Sequence, residues 1–472
     1  MKVKILFISF ITLISATFLL AQNFNDALRV SFKPLGIGAR PLGIGNAFIA
    51  VSDNYLASSY NPAGLFQIKR MEFHGSINYQ KLENDVTFFG NKSSFSNSFT
   101  KLSDIGFVFP FPTIRGSFVL AFGYSRNNNF NEALNFSGFN SGNTSMIQAL
   151  LGKGDVSYLL YLTDSTGNIT PINGKLQQSG TILGSGSEDH WTLSGAIEVA
   201  KDLAVGLSVS VVSGEFERNR DFMEEDINNI YDNNVRTDPA DPRTADFIFF
   251  KLEESLKWEL TGFSAKVGLM YRIKDFLRTG ITMKFPSVVS IKENYLVDGY
   301  SEFRRFSADI DPPLESNIDY EIWTPFEFGL GLALSKYGLT VSGDINLIDY
   351  TQMEFKGLSP TKTAKNNRDI KQLFRSVIDF SIGFEYNVFN TGFRVRGGYF
   401  TKNSPFKDDP SDFNRNYFTL GAGFITSEGF SFDLAYVYGK WKNFGDNYGS
   451  KVSRTYQDLK TSDIVFSTSF RF

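Results

Sequence analysis

The last ten residues of the chain alternate without a break between two kinds of side chain. One set is Ile464, Phe466, Thr468, Phe470 and Phe472, and the other set is Asp463, Val465, Ser467, Ser469 and Arg471. Only an extended strand, with its period of two, places these sets on opposite faces. One face suits hydrocarbon and the other suits water. The pattern therefore predicts a strand of a transmembrane β-barrel, with lipid on the outside and a polar lumen within.

The amino terminus carries the pattern of a secretory signal peptide. Lys2 and Lys4 precede an apolar stretch from Ile5 to Leu20, which ends at Ala21. A basic segment, an apolar core and a small residue are typical of such a peptide, so we expect residues 1–21 to be removed. A membrane anchor is the alternative, but the stretch is short for one and polar residues follow it at once. Cleavage would move the formal charge from -3 to about -5.

The composition fits an exported barrel. The chain has no cysteine, so its stability must come from packing and hydrogen bonds. Its 49 Phe and 20 Tyr are more than one core needs, although 21% of the residues are charged. A barrel accommodates both, because aromatic side chains can face lipid and form interfacial girdles. The near-neutral balance and the lack of a basic run argue against nucleic acid as a partner.

Fourteen strand-like segments can be identified between Met71 and Phe472, and their connections alternate between short and long. The long connections run over about 128–187, 218–254, 299–317, 356–373, 403–414 and 443–460. An outer-membrane barrel has short periplasmic turns and long external loops, and an even strand count returns both ends to the periplasm. Residues 71–472 are therefore predicted to form an antiparallel 14-stranded transmembrane barrel, an all-β fold in the outer membrane of a Gram-negative-type bacterium.

The polar faces of these segments carry most of their charged side chains. The charged residues predicted to face the lumen are Glu198, Lys266, Lys284, Asp344, Asp379, Glu385, Arg394, Arg396, Asp433 and Arg471. A charge that faces lipid near the midplane costs a few kcal/mol, so the lumen is the favourable side for all of them.

The segment before the first strand is predicted to be a hatch inside the lumen. Fourteen strands enclose a barrel wider than its own side chains can fill. Residues 22–70 are rich in Gly and Pro, lack alternation and contain apolar residues that need burial. The alternative is a periplasmic extension of the barrel.

Two features of the loops and the wall also lead to expectations. Met146–Leu151 and Tyr158–Leu162 are apolar islands in the first long loop, which form either a capture surface for a hydrophobic ligand or a packed cover over the mouth. Asp221–Ile230 has a capping-box pattern and is predicted to be a short helix. Gly116 and Gly123 mark a place where the third strand could kink.

The sequence offers no convincing catalytic or metal-binding set. Its two histidines, His74 and His190, lie at the ends of separate predicted strands, and no nucleophile elbow is present. With no cysteine and no paired histidine, a metal site is not expected. Gly184–His190 is better explained as a flexible loop that ends at a strand. We therefore expect no enzyme activity, no catalytic residues, no metal and no cofactor.

Several segments, in order, resemble one family of outer-membrane proteins. The amino-terminal segments are Gly43–Asp53 and Ser59–Leu65, which include an Asn-Pro-Ala motif at Asn61, Pro62 and Ala63. The later segments are Phe285–Val288, Trp323–Pro325, Phe393–Tyr399, Ser404–Phe406, Tyr417–Phe424 and Phe432–Tyr436. Their order and spacing are similar to those of the FadL/TodX (OMPP1) family, over essentially the whole mature chain apart from the external loops.

The resemblance implies a function as well as a fold. It implies a 14-stranded barrel with an amino-terminal hatch that takes up long-chain fatty acids or other hydrophobic compounds passively. The ligand is captured at external loops, passes to a site beside the hatch, and leaves sideways through the wall. An apolar pocket in a plugged barrel offers such molecules a route that a water-filled pore does not.

The resemblance also indicates candidate site residues. Phe24 matches an aromatic residue that lies close to the ligand in this family. Asn61, Pro62 and Ala63 form the hatch or gating motif, either as ligand contacts or as a structural turn. Arg394 or Arg396 could pair with the carboxylate of a fatty acid, and the alternative is that they pair with Asp379, Glu385 or Asp433.

A second hypothesis concerns protein partners. Relatives of the family act as cargo-shuttling barrels of type IX secretion, so a protein-binding shuttle is the alternative function. In either case we expect a monomer surrounded by outer-membrane lipid and lipopolysaccharide. Its terminal Phe472 would be read by the barrel-assembly machinery.

Overall fold

The computed structural model describes residues 22–274, 276–449 and 451–472. The predicted signal peptide, residues 1–21, lies outside the described residues. The helices are α1 (Phe24–Ser31), α2 (Ala39–Gly43), α3 (Ala57–Tyr60), α4 (Met146–Leu150), α5 (Val156–Leu159) and α6 (Pro360–Leu373). Short 3₁₀ turns span Pro62–Gln67, Pro242–Thr244, Tyr350–Gln352 and Ser411–Phe413. No helix in the described part of the chain is long and apolar enough to cross a membrane.

All strands belong to a single antiparallel sheet. They are β1 (Glu72–Phe88), β2 (Asn91–Phe111), β3 (Phe118–Asn129), β4 (Glu132–Asn140), β5 (Leu176–Ala200), β6 (Leu203–Glu225), β7 (Phe247–Lys274), β8 (Leu277–Lys284), β9 (Val288–Phe303), β10 (Phe306–Asp309), β11 (Leu314–Trp323), β12 (Glu327–Lys336), β13 (Leu339–Asp349), β14 (Glu354–Lys356), β15 (Ser376–Asn387), β16 (Phe393–Lys402), β17 (Arg415–Ile425), β18 (Phe430–Asp446) and β19 (Arg454–Arg471).

The sheet closes on itself as a barrel of 14 staves. The last strand β19 pairs with β1 from Glu72 opposite Arg471 to Thr87 opposite Tyr456. Four staves consist of successive strands, namely β3 with β4, β8 with β9, β10 with β11 and β12, and β13 with β14. The predicted barrel and its strand count are confirmed.

The two faces predicted from the terminal strand are present in the structure. Ile464 and Phe466 are each 45% exposed on the outer wall, whereas Asp463 and Val465 are fully buried. In β15 the exposed Phe380 likewise alternates with the buried Asp379. Apolar side chains thus face lipid, and charged ones lie in the lumen, as the cost of a lipid-facing charge requires.

Two strands predicted to be continuous are interrupted by prolines. Pro286 separates β8 from β9, and Pro325 separates β11 from β12, because proline lacks the N–H that a ladder needs. The two interruptions are neighbours in the wall. The amide of Ser287 donates to Thr324 Oγ1 at 2.8 Å, and the amide of Thr324 donates to the carbonyl of Ser287 at 3.0 Å.

Several stretches predicted to be external loop are in fact strand. Within 128–187 lie β4 and the outer half of β5, and β6 runs on to Glu225. The short helix predicted over Asp221–Ile230 is therefore wrong. Strand β6 continues to Glu225, with Asp221 paired to Thr181 on one side and Glu253 on the other, and a turn follows. Ladder bonds to two neighbours outweigh the local capping signal. The exposed positions of these strand ends carry polar residues such as Asp221 and so lack apolar alternation, which is why the pattern did not reveal them.

The apolar islands of the first long loop pack over the mouth of the barrel. Met146, Ile147 and Leu150 of α4, together with Leu160 and Leu162, are buried in a cluster that also contains outward extensions of β5, β6, β7 and β9. Three other side chains of these islands remain exposed, namely Tyr158 at 53%, Leu159 and Tyr161. The loop therefore contributes both a packed cover and an exposed apolar surface.

Candidate functional site

Residues 22–70 lie against the lumen side of the barrel wall, on strands from opposite sides of the barrel. The carbonyl of Gly43 accepts from Thr419 Oγ1 of β17 at 3.2 Å, and the carbonyl of Ala47 accepts from Ser342 Oγ of β13 at 2.8 Å. On the other side, the carbonyl of Ser58 accepts from Ser208 Oγ of β6 at 2.7 Å. Hydroxyl groups of the wall thus satisfy backbone groups that irregular structure leaves without a partner.

The helix α1 begins at a capping box. The side chain of Asn23 accepts from the amide of Asn25 at 2.9 Å, and Asp26 Oδ2 accepts from the amide of Asn23 at 2.8 Å. These bonds satisfy the free donors of the first turn. Asp26 is buried, and this desolvation raises its pKa to about 6, although Arg29 at 3.1 Å acts in the opposite direction.

An apolar compartment surrounds α1 inside the barrel. The buried Ala27 and Val30 pack in a cluster whose other members include Phe130, Phe216, Trp258, Leu260, Ile291, Tyr320, Ile322, Tyr350 and Phe374. The guanidinium of Arg29 lies 4.3 Å from the centroid of the Phe216 ring and 5.4 Å from that of Trp258. Aromatic faces attract such a cation, so Arg29 extends the contact of α1 with the wall.

Phe24, the candidate ligand contact, lies in this compartment. Its ring meets Phe374 edge-on at 6.0 Å and Phe406 at 6.3 Å. The three rings form an aromatic lining at the start of α1, below α6.

The Asn-Pro-Ala motif anchors the segment to the wall. Asn61 is fully buried, and its side chain accepts from the amide of Ala63 at 3.2 Å. Its Nδ2 donates to the carbonyl of Ile49 at 3.0 Å and to that of Leu269 in β7 at 3.2 Å. Pro62 opens the 3₁₀ turn that follows. In this geometry Asn61 uses its amide in structural bonds.

Glycines of the wall allow the segment to lie directly on the strand backbone. A Cβ atom at Gly268 would lie 2.1 Å from Asn61 Oδ1, and one at Gly206 would lie 2.3 Å from the nitrogen of Ala63. The same close approach occurs at further strand glycines around the lumen. We call these residues the glycine belt: Gly206, Gly268, Gly280, Gly329, Gly331, Gly383, Gly398 and Gly421.

A charged network fixes the same part of the segment. Arg40 pairs with Asp53 and, at 2.8 Å, with Glu385 of β15. Burial alone would lower the pKa of Arg40, but Asp53 and Glu385 raise it well above its usual value. The pKa of Asp53 is lowered, because Arg40 and Arg278 outweigh the effect of its own burial.

The two candidate arginines differ in their surroundings. Arg396 is buried between Glu385 at 2.6 Å and Asp433 at 2.7 Å, two of the three carboxylates proposed as its alternative partners. Arg394 is half-buried and lies opposite Asn387 of β15 and Gly423 of β17. The geometry brings Arg396, through Glu385, into the network of Arg40, whereas Phe24 packs against the apolar cluster around α1.

A polar cavity of about 120 Å³ separates the segment from one side of the wall. Lys33 and Tyr60 line it from the segment, and hydroxyl-bearing strand residues such as Ser125 and Ser264 line it from the wall. Three lysines and two carboxylates line it. Glu327 lies 2.9 Å from Lys284 and 3.8 Å from Lys33, Lys266 donates to the carbonyl of Ser59, and Asp344 accepts from the amide of Ile49 at 2.9 Å. The sequence placed Lys266 and Lys284 in the lumen but gave no sign that they share a cavity.

The wall has a discontinuity next to the apolar compartment. Pairing of β2 with β3 ends at Asp104 opposite Ser125, and β3 then shifts its register against β5 between Arg126 and Asn128. Beyond this point a side-chain bond, from Lys101 Nζ to Asn129 Oδ1 at 3.0 Å, joins the two strands. Phe130, which follows, belongs to the apolar cluster around α1.

The point at which β3 separates from β2 lies beyond Gly116 and Gly123, the two glycines that marked a possible kink in the sequence. Gly123 pairs with Gly106 in the regular part of the ladder, and a Cβ atom there would lie 2.1 Å from the hydroxyl of Tyr55. Gly116, with a φ of 73°, belongs to the turn before β3. Gly123 therefore makes room for a side chain of the amino-terminal segment.

The histidines are buried next to carboxylates. His74 Nε2 lies 3.0 Å from Asp104, and His190 Nε2 lies 2.7 Å from Glu188. Within the described residues, no group of three or more side chains is arranged to hold a metal ion.

A closed barrel with its lumen filled by an amino-terminal segment defines a class: outer-membrane transport barrels. A family model described as outer membrane protein transport protein (OMPP1/FadL/TodX) matches residues 188–472. The chain belongs to this family, and its location is the outer membrane of Gram-negative bacteria.

Solved structures support the same fold over nearly the whole chain. A FadL homologue from Pseudomonas aeruginosa is 13% identical and superposes with a TM-score of 0.57. The alignment covers 94% of this chain and 100% of the homologue. The toluene transporter TodX of P. putida is 14% identical, with a TM-score of 0.57 and coverage of 93% and 99%. The monoaromatic hydrocarbon channel CymD is 13% identical, with a TM-score of 0.53 and coverage of 94% and 99%. No curated protein matches the sequence.

Proposed function

We propose that this barrel takes up hydrophobic small molecules passively, long-chain fatty acids among them. The observation that carries the proposal is the apolar compartment inside the barrel, which holds α1 and extends to Phe130 at the wall discontinuity. Pockets for small hydrophobic ligands have this character: an apolar lining with a few fixed polar groups. The family and the toluene and hydrocarbon channels with the same fold are consistent with such a ligand.

Capture begins at the external surface. Tyr158, Leu159 and Tyr161 are exposed on the loop that covers the mouth, and the ring of Tyr161 packs edge-on against Phe306 at 4.9 Å. Exposed apolar side chains that lie together on a folded loop are typical of a binding surface. We propose that a ligand first binds here and then enters beneath α6.

Residues 22–70 act as the hatch. In this proposal α1 moves when a ligand that binds better to the displaced state enters the compartment, without nucleotide hydrolysis. Phe24 is the ligand contact, because its ring lies in the aromatic lining at the entrance to the compartment. Asn61, Pro62 and Ala63 hold the remainder of the hatch in place.

The route out of the compartment is lateral. Below α1 the lumen is polar, and the glycine belt and the charged network close it. The apolar lining instead continues to Phe130, next to the discontinuity between β2 and β3. A hydrophobic molecule follows the apolar path, since moving it into a polar cavity forfeits its favourable burial.

The carboxylate of a fatty-acid ligand would bind in the polar cavity. Lys33, Lys266 and Lys284 face it. Glu327 pairs with two of them, and the other lining carboxylate, Asp344, forms no ion pair within the described residues. Arg396 is already held by two carboxylates, which favours its structural role, and Arg394 belongs to the same region. We therefore assign the lysines, ahead of Arg394 and Arg396, as the partners of a fatty-acid head group.

Uptake into liposomes tests the proposal. Labelled oleate and labelled toluene are added outside vesicles that contain the barrel, a variant without residues 22–45, or no protein. We expect the barrel to accelerate uptake of at least one of the two ligands. Equal rates for empty and loaded vesicles would reject the channel.

Closure of the wall discontinuity tests the lateral route separately. Because the chain has no cysteine, cysteines at Lys101 and Asn129 provide the only reactive thiols for a short bis-maleimide. Cross-linked barrels should lose uptake, whereas each single-cysteine variant treated with the same reagent should keep it. Full uptake through cross-linked barrels would place the exit elsewhere.

Assembly and surroundings complete the proposal. The barrel acts as a monomer in the lipid and lipopolysaccharide of the outer membrane, and the assembly machinery reads its terminal strand. The amide of Phe472 donates to the carbonyl of Met71 at 3.1 Å, so the terminal residue lies at the closing seam. Deletion of Phe472 should lower the amount of folded barrel. Normal assembly with loss of uptake alone would contradict this role.

The alternative of a protein-binding shuttle for type IX secretion receives no support from the comparisons. Copurification distinguishes it from transport. A stable complex with secretion components, together with a lumen free of lipid, would favour the shuttle.

A further inference from the structure

A buried carboxylate inside the barrel has no cationic partner in the described part of the chain. Glu293 of β9 is 3% exposed, and its Oε2 accepts from Trp258 Nε1 at 3.0 Å and from the hydroxyl of Tyr320 at 2.9 Å. Its Oε1 accepts from Nε2 of Gln22. Among the described residues, no basic side chain forms an ion pair with it. All three donors are neutral, yet a buried charge is costly unless it is paired.

Gln22, the neutral donor to Oε1, lies immediately before α1 and is itself buried. It is 5% exposed, and α6 holds it from the other side. Lys362 Nζ donates to its Oε1 at 3.0 Å, and Asn366 Nδ2 donates to its carbonyl at 3.0 Å. Both ends of this residue are therefore fixed within the compartment.

The backbone of Gln22 has a conformation that an internal glutamine rarely adopts. Its φ is 53°, in the left-handed region. The cost of this region for a side chain other than glycine or asparagine comes from contacts with the preceding peptide. A first residue has no preceding peptide, so the conformation then carries no such cost.

We propose that Glu293 binds the α-ammonium group that signal-peptide cleavage after Ala21 creates on Gln22. The inference rests on the predicted cleavage site and is independent of any transported ligand. Cleavage supplies a cation on the same residue whose side-chain amide already contacts the carboxylate. Glu293, with Trp258 and Tyr320 holding it, is then a binding site for the mature amino terminus.

The position of the ammonium group at the start of a helix strengthens the need for an anion. The amino end of a helix carries partial positive charge, so a cation there is unfavourable. Gln22 lies directly before Asn23, the capping residue of α1. A carboxylate at this point offsets both the charge of the terminus and the helix dipole.

Other charged groups near the terminus are already occupied. Asp26 accepts from the amide of Asn23 and pairs with Arg29, and its burial raises its pKa to about 6. Lys362 contacts the opposite end of the Gln22 amide. Arg218 of β6 pairs with Glu132 at 3.2 Å. Glu293 is thus the carboxylate of this group that lacks a cation.

The titration of the terminal amine tests the proposal. The full-length mature barrel in detergent is treated with an amine-reactive reagent over a range of pH, and labelling of the amino-terminal peptide is measured by mass spectrometry. An ordinary α-amine has a pKa of about 7.7–8.0. We expect Gln22 to be the first residue, with its amine pKa above that range and its labelling about tenfold slower than in unfolded protein.

Matched variants separate the proposed contact from general effects. Glu293→Gln should return the amine pKa to the ordinary range and speed its labelling. Glu259→Gln, on the neighbouring strand β7 with an exposed side chain, should change neither. Insertion of one alanine between Ala21 and Gln22 moves the amine away from Glu293 and should release it in the same way, should Glu293→Gln fail to fold.

Three results would overturn the proposal. They are a first residue other than Gln22, a terminus without a titrating amine, and an amine pKa that Glu293→Gln leaves unchanged. Uptake measurements play no part in any of these outcomes, so the proposal can fail while the transport function stands.

Discussion

The two ends of the amino-terminal segment are held in the lumen by different means. α1 lies among apolar and aromatic side chains, its capping bonds stay within its own first turn, and buried hydrogen bonds tether the preceding residue, Gln22, to Glu293 and α6. Residues 36–67 lie directly on the strand backbone at the glycine belt, with hydrogen bonds to the wall and the ion pairs of Arg40.

The difference indicates which end can move. Apolar contacts are non-directional, and an apolar ligand can replace them at little net cost. A buried hydrogen bond or ion pair has no such substitute, because separation leaves polar groups without partners. We infer that α1, beyond its tether at Gln22, is the displaceable part of the hatch and that residues 36–67 are its fixed base.

The largest effect is expected where the fixed base contacts the glycine belt. In the double variant Gly206→Ala and Gly268→Ala, each new methyl group would lie within 2.3 Å of an atom of Asn61 or Ala63. Overpacking costs about 1–3 kcal/mol per site, so the base should be destabilised by about 2–6 kcal/mol. A reporter cysteine at the buried Ala57 should then react with maleimide in the folded barrel.

Gly343→Ala is the matched control for this variant. A Cβ atom at Gly343 would have its nearest neighbour at 3.6 Å, an ordinary contact. Labelling at Ala57→Cys should therefore stay slow. Slow labelling in the double variant as well would show that the base does not depend on the belt.

The next effect concerns the charged network. Arg40→Met leaves Asp53 and Glu385 without their shared cation, and loss of one partner of a buried pair costs about 3–5 kcal/mol. We expect a value near 3 kcal/mol, because Glu385 keeps Arg396. The urea concentration at which Ala57→Cys becomes reactive measures it.

The exposed pair of Lys442 and Asp412 provides the comparison for Arg40. Lys442→Met should change the urea midpoint little, since exposed pairs contribute at most about 1 kcal/mol. Equal midpoints for Arg40→Met and Lys442→Met would mean that the network does not stabilise the base.

Much of the barrel could be predicted from sequence because its physics is local. A strand between lipid and lumen must alternate, so Ile464 and Asp463 identify its faces without any knowledge of neighbours. The outer half of β5 and the end of β6 escaped detection because their more exposed positions carry polar residues such as Gln177 and Asp221, so the apolar alternation is absent. The breaks between β8 and β9 and between β11 and β12 were marked in the sequence by Pro286 and Pro325. The alternation of side chains alone did not reveal them.

The site was less predictable because its parts meet only in three dimensions. Phe24 and Asn61 were singled out through a resemblance, and the structure gives each a set of contacts. Gly268 and Gly206 were visible as glycines on polar faces of strands, a sign of close backbone approach. Glu293 and Lys266, by contrast, derive their significance from partners more than 200 residues away.

A pH change should affect the docking of α1 through Asp26. The pKa of Asp26 is about 6 in the docked helix against 3.8 when it is free, so docking favours the protonated carboxyl. The docked state is therefore most stable below about pH 4 and loses stability as the pH rises to 6, by at most about 3 kcal/mol. Labelling of Ala27→Cys, relative to denatured protein at each pH, should increase over this range.

Two comparisons sharpen this prediction. Asp26→Asn should flatten the pH dependence at Ala27→Cys, and the same substitution should leave labelling at Ala57→Cys unchanged at every pH. An effect of Asp26→Asn at both cysteines would indicate that α1 and the base undock together.

The smallest effect is expected from the aromatic lining at the start of α1. Phe24→Ala removes the edge contacts with Phe374 and Phe406. Full burial of a phenylalanine would make this cost about 3–5 kcal/mol, and the half-buried position of Phe24 reduces it to about 1–2 kcal/mol. Labelling should therefore increase about fivefold to thirtyfold at Ala27→Cys and stay unchanged at Ala57→Cys. A ligand that gains only a few kcal/mol from the compartment could then displace α1 while the base stays closed. Equal acceleration at the two cysteines would instead make the hatch a single body, which such a ligand could not open.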